Sequence, residues 1–288
     1  MSVGTQRLLT IASTKLYTQF DAGELHELHD ELVIYLSSFG LGVSESARLA
    51  LMEMMFYVKV YLSKDVDAQV IYNTFRDRFG ENSPNLYVMK ATLLQINEGN
   101  QVAIDWIEKL IKETLEYDTD AVSYLVLQKK LVSIKASSHD KEWLLKQVIS
   151  LIEKFPLDPE LYWFAAKIYT ELGHFDRAAY CYEEVVCIMP FNYVAFGQLA
   201  ESLYYKALKN EKSSTRRRDG LQKALENALR SVELSENYLK SWSFVAMISK
   251  KLDGRDKIFK LAHSKIQQIA NSPNAKNKAT ANLLLKNL

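Results

Sequence analysis

The chain has 288 residues, enough for one large or two ordinary domains; 48% are apolar and 25% charged, the balance of a folded protein, not a disordered one. Its 36 Lys and Arg against 35 Asp and Glu leave a formal charge of +1, so no global field draws it to nucleic acid or to an anionic bilayer. Only 10 Gly and 5 Pro punctuate it, while Leu, Ala, Lys and Glu are plentiful, which favours helices over strands.

The opening MSVGTQRLLTIASTKLYTQF is not expected to be a secretory signal, because Gln6, Arg7, Thr10 and Lys15 break its short apolar run. One or two amphipathic helices are predicted within residues 1–48, packing on the first repeat; the clearest is AGELHELHDELVIYLSSFG. His26 and His29 lie there at i and i+3, whereas a zinc-protease helix needs i and i+4 around a Glu, and no third ligand is near. A solvated helix face is the reading, with no metal. The most apolar window, LALMEMMFYVKVYL from Leu49, carries Glu53 and Lys59 and falls short of the ~20 residues of a membrane span. A cytosolic protein without a span of its own is therefore expected.

From residue 49 to 270 the chain reads as helix pairs on a fixed beat. ARLALMEMMFYVKVYL with DAQVIYNTFRDRFG is the weakest pair. Tyr87, Ala91, Leu94, Ala103, Ile107 and Leu110 mark the next, and a helix over Tyr124–Ile134 with Leu144, Val148, Leu151 and Pro156 another. Pro156 and Pro190 then stand 34 residues apart, the period of a tetratricopeptide repeat. Such a repeat is an antiparallel pair of helices, A and B, in which bulky side chains on one helix fit beside small ones where the backbones approach. Residues 159–192 match it throughout. Tyr162 and Tyr169 take the bulky positions of helix A, Ala165 and Ala166 the small ones, and Gly173 ends the helix at a cap that accepts positive φ. Asp176 is placed to cap helix B, on which Ala178 is the small contact, Tyr182 the knob and Pro190 the stop.

The following unit has Phe196, Leu199, Ala200 and Leu203 on helix A, a polar insert over 209–220, and Ala224, Ala228 and Ser231 on helix B. A third has Trp242, Val245 and Ala246, and residues 271–288 form a tail or a capping helix. The fold class expected is all-α, a right-handed superhelical solenoid of about six tetratricopeptide helix pairs, none able to bury its apolar face alone.

Chemistry-bearing motifs are few. Cys181 and Cys187, six apart on one helix, diverge too far for a disulfide and read as small packing residues. With no Gly-rich phosphate loop, nucleophile elbow or kinase signature, neither catalysis nor a cofactor is expected. Arg216, Arg217 and Arg218 in the insert read as a solvated flexible loop, since single-strand binding would want interleaved aromatics. Phosphorylation of the neighbouring serines or Thr215 stays open.

In such a solenoid the A helices line the concave face. The residues expected in that partner groove are Glu160, Trp163, Lys167 and Glu171; then Val194, Gly197, Glu201, Tyr204 and Tyr205; then Lys240, Ser243 and Met247. Trp163 follows the packing residue Tyr162, so it should point about 100° away and form an apolar slot beside Gly197. A chaperone adaptor's carboxylate clamp would want a cation at Trp163 and Asn at Lys167 and Gln198, and those pairings are missing. The groove suits an extended or helical segment with apolar side chains.

Residues 158–205 resemble the central repeats of subunit 2 of the endoplasmic reticulum membrane protein complex. The match runs through Trp163, Ala166, Tyr169, Ala178, Ala179, Cys181, Glu183, Glu184, Pro190, Asn192, Ala200 and Glu201, with the specific part AAYCYEE, P-x-N and AES; the Tyr-Trp pair and the basic insert suggest a divergent fungal member. The resemblance implies a non-catalytic scaffold at the cytosolic face of the endoplasmic reticulum. Its partners would be subunits of a membrane-embedded insertase, gripped by their cytosolic tails, and a further soluble subunit; the complex inserts tail-anchored and multi-pass proteins. The alternative is a tetratricopeptide co-chaperone or another soluble peptide-binding adaptor.

Overall fold

The computed structural model describes residues 3–37, 44–115, 122–209, 213–272 and 277–288. Among them there are only helices, and the chain divides into two compact units, Met1–Ser137 and Ser138–Leu288. The fold is all-α and of the tetratricopeptide type.

In the first unit, α1 (Val3–Thr14) and α2 (Ala22–Ser37) both pack on α3 (Glu45–Tyr61), which pairs with α4 (Asp65–Phe79). Helix α4 leans on α5 (Pro84–Asn97), and α5 packs against both α6 (Asn100–Thr114) and α7 (Val122–Lys135). Three apolar clusters follow one another along the chain. Leu8, Leu28, Leu32 and Met54 fill the first; Phe56, Tyr72, Phe75 and Met89 the second; Ala91, Ala103, Ile107 and Leu127 the third. Helices α3 and α5 each contribute to two successive clusters, α3 to the first and second and α5 to the second and third, the sharing that makes a repeat unable to stand alone.

His29 departs from expectation. It is buried, not on a solvated face: Nδ1 meets Asp30 Oδ1 at 2.9 Å, and Lys64 Nζ donates to Nε2 at 3.2 Å, tying α2 to the start of α4. That bond holds Asp30 below the ordinary carboxylate range. Likewise Lys130 reaches from α7 to Gln95 on α5 at 2.7 Å, and burial pulls its ammonium down to about 8.

The second unit runs α8 (Lys141–Lys154), α9 (Pro159–Glu171), α10 (Phe175–Ile188), α11 (Tyr193–Lys209), α12 (Ser214–Leu234), α13 (Leu239–Ser249), α14 (Asp256–Ala270) and α15 (Lys278–Asn287), each packed on the next. Local chemistry sets the boundaries. Asp140 and Asp158 cap α8 and α9 by accepting from Trp143 N and Leu161 N, and Pro159 opens α9 where its missing N–H costs nothing. Helix α9 closes in a Schellman turn: Gly173, at φ 73°, donates to Thr170 O, and His174 donates to Tyr169 O. Helix α10 therefore begins at Phe175, with His174 at the cap position, and Asp176 favours the helix dipole from within the first turn without capping it. Lys209, from the end of α11, donates to Gly173 O at 3.2 Å and covers the Phe175 ring.

Of the expected packing residues, Tyr162, Ala166 and Tyr169 on α9, Ala178 and Tyr182 on α10, Ala200, Ala224 and Trp242 are all buried. Phe196 is half-buried, and Pro190 is exposed: it terminates α10 and packs on nothing central. Two further readings change. The flexible basic loop is, from Ser214 on, the first turns of α12, with residues 210–212 outside the described residues. Gly220 lies inside that helix, where a Cβ would come within 3.0 Å of Ala207 Cβ, so α11 and α12 approach closely there. Arg216, Arg217 and Arg218 are exposed on the helix.

Cys181 is buried and Cys187 exposed; burial pushes the Cys181 thiol up to about 11, leaving very little thiolate near neutrality. Iodoacetamide at neutral pH should therefore label folded protein on Cys187 alone. Peptide mass spectrometry checks this, and labelling of Cys181 without denaturant would show that α10 is not packed as described.

Candidate functional site

The proposed groove belongs to the second unit, on α9, α11 and α13. The structure places the residues assigned to it in three different settings. Glu160 and Lys167 are exposed on α9, and Glu171 closes an ion pair with Lys141 of α8 at 2.9 Å. Val194 and Met247 are half-buried. Trp163 is also half-buried; its ring stands edge-on to Tyr182 at 5.4 Å, which leaves the rest of the indole available.

Gly197 and Tyr204 are corrections. Gly197 is buried: a Cβ there would lie 2.6 Å from Ser241 Oγ and 2.8 Å from Tyr238 Cε1, so the glycine lets α11 and α13 touch and forms no slot beside Trp163. Tyr204 is only 7% exposed and packs edge-on to Phe244, and Ser243 is buried too. Tyr205 keeps an exposed edge while its ring stacks on Phe175 at 5.1 Å. Bulk beside a glycine signals a slot only when nothing from the next helix fills it, and here the next helix does.

What joins α11 to α13 on this face is charge. Lys240 Nζ sits 2.6 Å from Glu201 Oε2 and donates to Gln198 Oε1 at 2.9 Å. Glu201 also lies near two phenols. Burial, then the Glu201 charge, pushes Tyr182 up, and Thr170 shares a hydrogen bond with its hydroxyl. Burial, then Tyr193 and Glu201, pushes Tyr238 up to about 12. Both phenols therefore remain protonated donors next to a carboxylate. Lys240 is committed internally, so it supplies no free cation for a carboxylate clamp.

Behind this network runs a second one. Ser241 Oγ donates to Ser231 Oγ at 2.7 Å, Ser231 donates to Tyr193 O at 2.6 Å, and the Tyr193 ring stands edge-on to Tyr238 at 5.1 Å. Large-and-small periodicity does not single out Tyr193, Tyr238 or Ser241. The signal that finds two of them is the Asn-Tyr pair repeated in the turns that lead into α11 and α13, Asn192-Tyr193 and Asn237-Tyr238. Asn192 caps α11 by accepting from Ala195 N, which fixes the direction of the tyrosine beside it.

The arrangement suits binding. It presents an aromatic edge, exposed charges of both signs on α9, and a rigid, hydrogen-bonded floor. Among the described residues, no group of three or more His, Cys, Asp or Glu is disposed to hold a metal ion, and no helix is long and apolar enough to cross a membrane.

No protein-family model matches the chain. It is 50% identical over 288 residues to ER membrane protein complex subunit 2 of Saccharomyces cerevisiae, covering 98% of each chain. It is 24% identical over 201 residues to TPR repeat protein oca3 of Schizosaccharomyces pombe, covering 68% of this chain and 66% of that one. Among solved structures, a MamA RS-1 ArsTM double mutant aligns with a TM-score of 0.51 at 11% identity, over 68% of this chain and 98% of that one, a likeness of fold alone.

Proposed function

Since the chain belongs to the family of subunit 2 of the endoplasmic reticulum membrane protein complex, we propose that it is a non-catalytic scaffold held at the cytosolic face of that membrane by other subunits. Its second unit clasps a cytosolic segment of a membrane-embedded subunit along α9, α11 and α13, and it engages a further soluble subunit. The complex so assembled supports insertion of tail-anchored and multi-pass proteins. Half the residues being identical over nearly the whole of both chains is the observation that carries this reading. The half-exposed Trp163, on a face stiffened by the Glu201–Lys240 pair, supports it: a rigid aromatic anchor orders few rotamers on binding.

The test is affinity purification of the tagged chain from membranes in mild detergent. Integral membrane proteins are expected to co-purify stoichiometrically; recovery of soluble proteins alone overturns the reading. Trp163→Ala is expected to reduce that recovery several-fold while lowering stability by only about 1–2 kcal/mol, because the ring is half-buried. A mutant that melts far below wild type would instead make Trp163 a core residue.

A further inference from the structure

The first unit carries a binding feature of its own, separate from the groove just described. One cavity of about 450 Å³ opens between α1 and α3, lined by Gln6, Thr10, Lys15 and Tyr17 on one side and Ala50 and Glu53 on the other. A second, of about 350 Å³, opens between α3, α4 and α5, with Phe75, Phe79, Leu86 and Met89 as its apolar walls. Ala50 and Glu53 line both, so the two cavities meet across α3 at a small side chain and a carboxylate.

Glu53 is the only charged residue lining the second cavity among the described residues. The nearby cations already have partners: Arg78 pairs with Glu45 and lies over the Phe79 ring at the edge of the cleft, and Lys59 pairs with Asp67. Lys15 lines the first cavity and offsets the Glu53 charge in part, yet burial still pushes the carboxyl up. With Ser46, Ser83 and Asn85 at its rim, a carboxylate beside Phe75, Phe79, Leu86 and Met89 is complementary to a long aliphatic stem ending in a cation.

We propose that this cleft takes an Arg or Lys side chain from an extended segment of another polypeptide. The stem lies against Phe75, Phe79, Leu86 and Met89, and the head pairs with Glu53. The segment's backbone crosses α3 over Ala50, where a larger side chain would block it, and continues past Gln6 and Thr10. Nothing in this depends on the α9–α13 groove, so the site stands or falls apart from the detergent co-purification.

The test uses the full chain with ¹³C-methyl methionine, because Met89 lines the second cavity and Met54 the first. The probes are acetyl-Ala-Arg-Ala-amide and its citrulline counterpart, which keeps the shape and loses the charge. The arginine probe should shift the Met89 methyl saturably, with the citrulline probe at least about 10-fold weaker, the scale of one charge-assisted hydrogen bond. Glu53→Gln should abolish the difference. Equal responses to the two probes, no response at Met89, or a preference that survives Glu53→Gln would each overturn the proposal. If Glu53→Gln alters every methionine signal, the two probes on the unaltered protein decide alone.

Discussion

Gly197→Leu is expected to destabilise the second unit by about 3 kcal/mol, the upper part of the usual range for overpacking. The reason is positional. A Cβ alone already falls 2.6 Å from Ser241 Oγ and 2.8 Å from Tyr238 Cε1, under any distance real Cβ atoms keep, and leucine adds three carbons beyond it. The helices α11 and α13 must then part, which breaks the Ser241–Ser231–Tyr193 hydrogen bonds and loosens the Lys240–Glu201 pair. For a unit of this size the melting midpoint should drop by roughly 6–12 °C. Gly197→Ala tests the account from the other side. It gains about 1 kcal/mol of helix propensity against a smaller clash, so its loss should be much the lesser of the two. Thermal denaturation followed by circular dichroism decides; a Gly197→Leu midpoint near wild type would mean that α11 and α13 are not in contact there.

A loss of about 3–5 kcal/mol is expected for Phe56→Ala in the first unit. Phe56 is fully buried, edge-on to Tyr57 at 5.1 Å, in the cluster it shares with Ala68, Tyr72, Phe75, Leu86 and Met89. Deleting the ring leaves a hole where three helices, α3, α4 and α5, meet, and neither α3 nor α5 can collapse into it without leaving the helices on its far side. Phe56→Leu, which keeps most of the volume, should cost distinctly less. Urea midpoints at unchanged slope would read the two losses, and a Phe56→Ala midpoint within error of wild type would show that the α3–α5 cluster is not packed as described.

Much of the fold was legible because the features that encode it are local. Ala165, Ala166 and Ala178 recur beside Tyr162, Tyr169 and Tyr182 at spacings only a helix pair can use, and the structure buries all six. The Schellman turn at Gly173 was equally readable, since positive φ is a property of one residue. The groove was harder. Glu201 was expected to neutralise Lys240, and the two form an ion pair at 2.6 Å, but nothing in the sequence showed that Gly197 and Tyr204 beside them would be buried. His29 shows that limit: spacing placed it on an outer face, whereas the structure buries it and bonds its ring to Lys64, 35 residues later. Gly220 resembled the end of a loop in composition, but it marks a helix crossing.

By itself, then, the order of residues determined that the chain is helical, that its helices come in tetratricopeptide pairs, and where a few of them end, as at Gly173 and Pro190. Caps, periodicity and small-beside-large spacing act over a few residues, and neighbours along the chain suffice to express them. Only the tertiary structure decided which surface positions remain open. Gly197 and Tyr204 were closed by α13, Trp163 was half-covered by Tyr182, and the cleft at Glu53 arose from three helices at once. Exposure is set by what another helix brings to a site, and a residue's own stretch of chain carries no record of that neighbour.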